Sequence, residues 1–319
     1  MKLVILERNS VGTDVDVSCF EKFGEVTCYP NTVAANTSER VKDADIILAN
    51  KAPLNESTLK DAPNVKLICL LATGFDNVDL AYCKSRSIKV TNVVNYCTST
   101  VAQHTLLLAL ALSEKIAFYD DYVKSGAYSA QDRFSNFDRT FYDLEGKTWG
   151  IIGMGTIGRR VAGLAQAFGC RVIFYSASGK STCTDYKRVE FDTLLQESDI
   201  LSLHCPLSDR TRGLINKDAL SKMKETAILV NVARGPVVDT QALYDALVTD
   251  RIAGAGLDVL EQEPMAKDNP LARIKDSSKL IITPHMAWAS LESRTRLVDE
   301  VVKNIEAFLA GENRNVVNL

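Results

Sequence analysis

Short apolar runs recur along this chain, each bounded by polar or turn-forming residues: Leu3–Glu7, Val26–Tyr29, Ile46–Ala49, Leu67–Leu71 and Lys89–Asn92. Runs this short, rich in Val, Ile and Leu, fit strands of a parallel sheet covered on both faces. Segments of helical spacing lie between them, including Asn36–Lys42 and Asn77–Ser85. Alternation of this kind is the mark of βαβ units. A long, mostly apolar helix is predicted from Val101 to about Lys115, and its Gln103, Ser113 and Glu114 argue for burial between layers rather than in lipid. The rhythm resumes with Trp149–Ile152, Arg171–Tyr175, Ile200–His204, Ala227–Asn231, Gly254–Val259 and Leu280–Thr283. Leu291–Leu309 reads as an amphipathic helix with Leu297, Val301, Ile305 and Phe308 on one face. Its natural place is against the first domain, which would then be discontinuous.

Residues 118–145 break this alternation. They are rich in Tyr, Phe, Asp, Arg and Ser, as in Tyr119-Asp120-Asp121-Tyr122 and Arg133-Phe134-Ser135-Asn136-Phe137. Two readings stand: an irregular surface arm, or a subunit-contact arm, since mixed aromatics and arginines suit interfaces. A faint internal echo also appears. Asp45-Ile46-Ile47-Leu48 precedes Pro53-Leu54, and Asp199-Ile200-Leu201-Ser202 precedes Pro206-Leu207. Two α/β units built alike would produce it, and so would common strand-ending chemistry.

A chain of 319 residues buries a large core and favours two domains. Its formal charge of −3, with basic residues scattered among acidic ones, gives no clustered positive surface for nucleic acid. No apolar stretch reaches the roughly 18 residues a membrane span needs. The apolar run at the N-terminus is too short for a signal peptide and reads as a first strand. Cys19, Cys28, Cys69, Cys83, Cys97, Cys170, Cys183 and Cys205 show no paired short spacing. Free thiols in a reducing compartment, and hence a cytoplasmic protein, are expected.

The sharpest motif is Gly153-Met154-Gly155-Thr156-Ile157-Gly158, placed between an apolar strand and a helical pattern (Ile157, Val161, Leu164, Ala165, Phe168) that Gly169 would stop. The first glycine allows a tight turn, the second admits a pyrophosphate to the backbone, and the third lets helix and strand approach. The helix starting near Thr156 would aim unpaired N–H groups at that phosphate. A dinucleotide fold follows.

The histidines are His104, His204 and His285, and no spacing among them and the cysteines resembles a metal site. His104 falls in the apolar helix and reads as a packed, hydrogen-bonded core residue. His204, beside Cys205-Pro206 at a strand end, either caps the strand or meets a cofactor. His285 follows Ile281-Ile282-Thr283-Pro284, so its imidazole sits at a carboxyl edge, able to exchange a proton near neutral pH. A carboxylate partner would hold its tautomer; Glu263 is the candidate and Glu261 the rival in the same loop. Arg234, in Asn231-Val232-Ala233-Arg234-Gly235, would grip a substrate carboxylate with two parallel hydrogen bonds. Together these residues suit hydride transfer to a 2-oxo acid.

As a set, Leu71-Ala72-Thr73-Gly74 with Val78-Asp79, Ser99-Thr100-Val101-Ala102-Gln103, the glycine motif, Asn231–Gly235, Gly256-Leu257-Asp258-Val259 with Glu263-Pro264, and Thr283-Pro284-His285 resemble the D-isomer-specific 2-hydroxyacid dehydrogenases over essentially the whole chain. The resemblance implies two Rossmann-like, doubly wound parallel-sheet α/β domains. Residues 1–100, completed by 290–319, would form a discontinuous, flavodoxin-like substrate domain. Residues 101–289 would form the dinucleotide-binding domain, with a dimerisation arm at about 118–145 of a homodimer. It implies Arg234 as carboxylate anchor and Glu263 with His285 as acid/base pair. Backbone contacts to substrate carboxylate are implied at Ala72, Thr73 and Gly74. Cofactor contacts are implied at Thr100, Gly153, Met154, Gly155, Thr156, Ile157, Gly158, Ser176, Lys180, His204, Cys205, Pro206, Val232, Ala233, Arg234, Asp258 and His285.

Within that family the chain is most similar to the glycerate dehydrogenases, or hydroxypyruvate reductases, through Asn50-Lys51-Ala52-Pro53-Leu54, Leu70–Phe75 and Asp143–Lys147. The expected reaction is NAD(P)H-dependent reduction of hydroxypyruvate to D-glycerate and its reverse, without a metal. Pyruvate or a branched or aromatic 2-oxo acid is the alternative, because Val94-Asn95-Tyr96-Cys97 departs from the family's usual Pro-Gly-Tyr-Ser loop. An NAD(H)-sensing corepressor is the alternative of another class, disfavoured by the retained acid/base pair. Ser176 stands where an Asp would bond the ribose hydroxyl. Ser176, Ser178 and Lys180 accommodate a 2′-phosphate, yet serine also accepts NAD, so NAD(H) is preferred on family habit with NADP(H) as the alternative.

Overall fold

Val, Ile and Leu in short runs become strands here because each run finds a buried slot in a sheet covered on both faces. A computed structural model describes the whole chain, Met1–Leu319, which divides into two units. Unit 1 comprises Met1–Cys97 and Ala289–Leu319. Its strands β1 (Lys2–Ile5), β2 (Glu25–Cys28), β3 (Ile46–Ala49), β4 (Leu67–Leu70) and β5 (Lys89–Thr91) form a parallel sheet in the order β2-β1-β3-β4-β5. That is the flavodoxin-like winding. Every residue of β3 and β4 is buried, as expected of central parallel strands.

The C-terminal helix Leu291–Leu309 is part of this unit and buries Leu297, Val298, Val301 and Ile305. Ser290 caps it by accepting the N–H of Ser293. Its buried Asn304 donates to the carbonyl of Asn92 at 2.9 Å and accepts from Arg314 at 2.6 Å. The first domain is therefore completed by the last residues of the chain.

Unit 2, Thr98–Trp288, holds the strands β6 (Thr148–Ile152), β7 (Arg171–Tyr175), β8 (Lys187–Arg188), β9 (Ile200–Leu203), β10 (Ile228–Asn231), β11 (Gly254–Leu257) and β12 (Leu280–Ile282). They pair in parallel in the order β12-β11-β10-β9-β6-β7-β8. Winding runs one way from β6 through β7 to β8 and the other way from β9 to β12. The switch point thus falls between β6 and β9, where a doubly wound sheet opens a crevice at its carboxyl edge. The helix Thr98–Ser113 buries Ala102, Leu108, Ala109 and Leu112 within this unit's core.

The echo noted in the sequence has a structural basis. Asp45 accepts the N–H of Lys2 at the start of β1 (2.7 Å), and its own N–H donates to the Lys2 carbonyl. Asp199 repeats both bonds with Thr148 at the start of β6, its carboxylate at 2.8 Å. Each aspartate staples the first strand of its sheet to the neighbour across the switch point.

Three elements differ from the sequence reading. β8 is two residues of Lys and Arg, both exposed, and carried no apolar signal. Residues 118–145 are not irregular throughout: helices Ile116–Lys124 and Ala127–Ala130 occupy the first part, with no helix or strand from Gln131 to Lys147. The helix read from Asn77 begins only at Leu80, because Asp79 caps it by accepting the Tyr82 N–H at 2.9 Å.

Candidate active site

The glycine motif forms the turn between β6 and the helix Thr156–Ala167. Gly153 has φ +97°, and a Cβ on it would stand 2.8 Å from the backbone of His204 and Cys205. The turn therefore lies against the end of β9, at the switch point. A Cβ on Gly155, in contrast, would meet nothing within 4 Å. Open space in front of a helix N-terminus, whose first N–H groups lack intrahelical partners, suits a pyrophosphate. Met154 is buried, while Thr156 and Ile157 open the helix.

His204 ends β9 within a short polar chain. The indole N–H of Trp149 donates to Ser202 Oγ at 2.9 Å, and Ser202 Oγ lies 3.0 Å from His204 Nε2. With one lone pair of that hydroxyl taken by Trp149, its proton is free to go to Nε2, an arrangement that puts the imidazole proton on Nδ1. Nδ1 is buried with no partner in the protein. Leaving such a donor unmet costs about 1–3 kcal/mol, so it is suited to an acceptor on a bound group. Burial pushes the His204 pKa down to about 3, which keeps the ring neutral. Burial likewise pushes Cys205 up to about 11, so it remains a thiol. The protein as a whole shows no cluster of His, Cys, Asp and Glu arranged for a metal ion.

At the end of β7, Ser176 is buried, and its Oγ accepts the Ser181 N–H at 3.4 Å. Lys180 is exposed, its own N–H donating to Ser178 Oγ at 3.2 Å. No carboxylate occupies the Ser176 position.

Past β10, the Asn231 side chain folds the Val232-Ala233-Arg234 turn, accepting from Ala233 N and donating to Arg234 O, each at 3.0 Å. Arg234 Nη1 donates to the Ala233 carbonyl at 2.8 Å. The next residue must be glycine, because a Cβ on Gly235 would stand 1.9 Å from the Leu260 carbonyl. That close approach brings the arginine turn onto the loop that follows β11.

In that loop Glu263 Oε1 accepts the Leu260 N–H at 2.9 Å, while Oε2 stands 2.6 Å from His285 Nδ1. Glu261 turns away and accepts from Thr240 Oγ1 at 3.0 Å. The two side chains of the Glu263–His285 pair are 34% and 29% exposed. A pair this open adds at most about 1 kcal/mol to stability, so its value lies in fixing the imidazole.

His285 has φ +53°, a conformation that costs a non-glycine residue about 1–3 kcal/mol and persists only where its surroundings over-determine it. Here they do. His285 N–H is shared between the carbonyls of Asp258 (2.9 Å) and Thr283 (3.0 Å), and Trp288 Nε1 donates to the His285 carbonyl at 3.0 Å. Asp258 is 2% exposed, and its carboxylate accepts from Thr283 Oγ1, Met286 N and Ala287 N at 2.6, 2.9 and 2.8 Å. The carboxylate thus holds the turn that carries His285, a duty the sequence did not suggest. His104 is the packed, hydrogen-bonded core residue expected, its Nε2 2.9 Å from Thr283 Oγ1.

Ala72, Thr73 and Gly74 belong to unit 1, at the carboxyl end of β4. Thr73 Oγ1 donates to the Val93 carbonyl, and Asn92 Nδ2 donates to that of Thr73, each at 2.7 Å. Val93 N–H donates to the Ala72 carbonyl at 3.0 Å, so this loop is held by the one after β5. Thr100 lies in the first turn of the helix Thr98–Ser113 of unit 2.

The sequence profile of the D-isomer specific 2-hydroxyacid dehydrogenase NAD-binding domain matches residues 106–287. The chain belongs to that family. It is an NAD(P)-dependent oxidoreductase of the D-2-hydroxyacid dehydrogenase type. A hydroxypyruvate reductase of Blautia hydrogenotrophica is 38% identical, with 100% of each chain covered. A glycerate dehydrogenase of Methylorubrum extorquens is 40% identical over 99% of this chain and 98% of its own. Among solved structures, a D-lactate dehydrogenase of Aquifex aeolicus complexed with NAD and lactic acid superposes with a TM-score of 0.87 at 32% identity, covering 100% of this chain and 99% of its own. This dehydrogenase has no single helix long and apolar enough to cross a membrane.

Proposed function

We propose that this dehydrogenase reduces hydroxypyruvate to D-glycerate with NADH and catalyses the reverse oxidation. The observation that carries the reaction type is the 2.6 Å contact between His285 Nδ1 and Glu263. The choice of substrate rests on end-to-end similarity to a hydroxypyruvate reductase and a glycerate dehydrogenase.

The nicotinamide, when bound, supplies the hydride. Glu263 accepts a hydrogen bond from Nδ1–H of His285, so the second proton of the imidazolium is carried on Nε2. His285 gives that Nε2 proton to the carbonyl oxygen as the carbonyl carbon is reduced, and Nδ1 keeps its own proton, hydrogen-bonded to Glu263. In the reverse direction Nε2 takes the hydroxyl proton. The Arg234 guanidinium pairs with the substrate carboxylate and fixes which carbonyl face is presented. Backbone N–H groups of Ala72, Thr73 and Gly74 would complete carboxylate binding in the substrate domain, residues 1–100 with 290–319.

The residues present suit a dinucleotide in the 101–289 domain: open space at Gly155 before a helix N-terminus, and the buried Nδ1 of His204 with no partner in the protein. Gly153, Met154, Gly155, Thr156, Ile157 and Gly158 would hold the pyrophosphate, with Ser176 and Lys180 towards the adenosine ribose. His204, Cys205, Pro206, Val232 and Ala233 would line the crevice. Thr100, Asp258 and His285 would lie on the nicotinamide side, Asp258 acting chiefly through the turn it holds. NAD(H) is the preferred cofactor and NADP(H) the alternative. The arm at about 118–145 would join two copies, covering Phe134 and Phe137, which are 91% and 74% exposed in the single chain.

Steady-state oxidation of NADH and of NADPH with hydroxypyruvate, glyoxylate, pyruvate, 2-oxoisocaproate and phenylpyruvate tests the reading. Highest kcat/KM with hydroxypyruvate and NADH is expected. A maximum on an alkyl or aromatic 2-oxo acid would reassign the substrate, and NADH binding without any turnover would reject the catalytic role.

A further inference from the structure

His104 is an unusual occupant of its helix. Thr98–Ser113 is otherwise largely apolar and packs on β11 so closely that a Cβ on Gly256 would meet Leu108 at 2.9 Å. A polar ring buried there costs free energy unless it is hydrogen-bonded. Its bond leads towards His285 through one hydroxyl and one carboxylate.

Thr283 Oγ1 is 2.6 Å from Asp258 Oδ1, a distance that requires the hydroxyl proton to lie between them. Thr283 is therefore an acceptor towards His104, and His104 carries its proton on Nε2 across the 2.9 Å contact. The direction of every bond follows: His104 Nε2–H to Thr283 Oγ1, Thr283 O–H to Asp258 Oδ1, and the Met286 and Ala287 N–H groups to the two Asp258 oxygens. The last pair lies immediately after His285, whose left-handed backbone would otherwise relax.

We propose that His104 is a positioning residue for His285, acting through Thr283 and Asp258 to hold the turn that aims the imidazole. The inference rests on His285 being the proton donor of the proposed reaction. His104 acts without touching substrate or cofactor. Its work is to orient Thr283, so that the hydroxyl stays on the carboxylate and the carboxylate stays beneath the turn. Burial lowers the His104 pKa, against the opposing pull of Asp258, and a neutral ring with one fixed N–H is what the chain of bonds needs.

The test compares His104→Leu, which removes the donor, with His104→Gln, which keeps an N–H, and with Thr283→Val, which removes the hydroxyl at nearly constant shape. The readouts are kcat and KM for hydroxypyruvate, NADH affinity by fluorescence titration, and the indole N–H resonances of the two tryptophans. Trp288 reports on the turn through its bond to the His285 carbonyl; Trp149, bonded to Ser202, is the internal reference. In His104→Leu and Thr283→Val, kcat is expected to fall on the order of 10- to 100-fold with KM and NADH affinity within about twofold. The Trp288 resonance should move and the Trp149 resonance should not. His104→Gln should recover most of the rate. Equal loss in the Gln and Leu variants would overturn the proposal in favour of simple packing, as would an unmoved Trp288 resonance in both donor-removing variants. If the wild-type protein turns over no 2-oxo acid, the functional reading fails, while the Trp288 resonance still decides the positioning role.

Discussion

Glu263 Oε2 stands 2.6 Å from His285 Nδ1, and the same carboxylate's other oxygen is tied to the Leu260 N–H. The glutamate is thus held by its own loop before it holds the histidine. His285→Ala should lower kcat by about 10²- to 10⁴-fold, the usual worth of a general acid. Glu263→Gln should lose less, because an amide oxygen still accepts from Nδ1. NADH affinity, read by fluorescence titration, should persist in both; its collapse would mean that these residues serve the cofactor instead.

Arg234→Lys should behave as a disruptive change. A lysine ammonium cannot make the paired, planar contact of a guanidinium with a carboxylate. Loss of kcat/KM by about 10²-fold or more is expected for 2-oxo acids, measured at fixed saturating NADH. Near-normal efficiency would remove Arg234 from the substrate.

Two glycines two residues apart should fail in opposite ways. Gly153→Ala places a Cβ 2.8 Å from the His204 and Cys205 backbone at φ +97°, so stability should drop by about 1–2 kcal/mol from the backbone conformation alone, and the melting temperature with it. Gly155→Ala meets nothing within 4 Å, so stability should hold while NADH affinity falls. Scanning calorimetry with and without NADH separates the two, and an unchanged affinity in Gly155→Ala would place the pyrophosphate elsewhere.

The neutral His204 sets a direction for stability against pH. Its folded-state pKa, about 3, lies below the ordinary 6.5, so below pH 6.5 the unfolded chain binds a proton that the folded chain refuses. This contribution is fully present above about pH 6.5 and is lost as pH falls towards about 3. His204→Gln should flatten the fall of melting temperature over that window. A slope identical to wild type would show that His204 is already solvated in the folded state.

The exposed Phe134 and Phe137 make the oligomer testable. Phe134→Ser with Phe137→Ser should shift sedimentation from dimer towards monomer. An unaltered dimer would move the interface off the arm.

Much of this was legible in residues. The echo of Asp45 and Asp199, open in the sequence to two readings, corresponds to the same pair of bonds at the first strand of each sheet, and the apolar runs marked every strand except β8. That strand is a polar pair added at an edge by backbone pairing alone, so no side-chain pattern could show it. The arm's helices were obscured because they bury no residue and so leave no apolar stripe. Strand-end logic proposed Arg234, Glu263 and His285, and the coordinates put Glu263 rather than Glu261 against His285. The duty of Asp258 and the orphaned Nδ1 of His204 also needed coordinates, because they depend on where Thr283, Ser202 and Trp149 direct their single protons. Hydrogen-bond direction is a property of the assembled site.

The most direct test of the account is a competition. Equal concentrations of hydroxypyruvate and pyruvate are offered with limiting NADH, and the products are resolved by chiral chromatography, so that their ratio reads the ratio of kcat/KM. D-glycerate in large excess over lactate, with no L-glycerate, is expected. Lactate in excess, or glycerate of the L configuration, would contradict it.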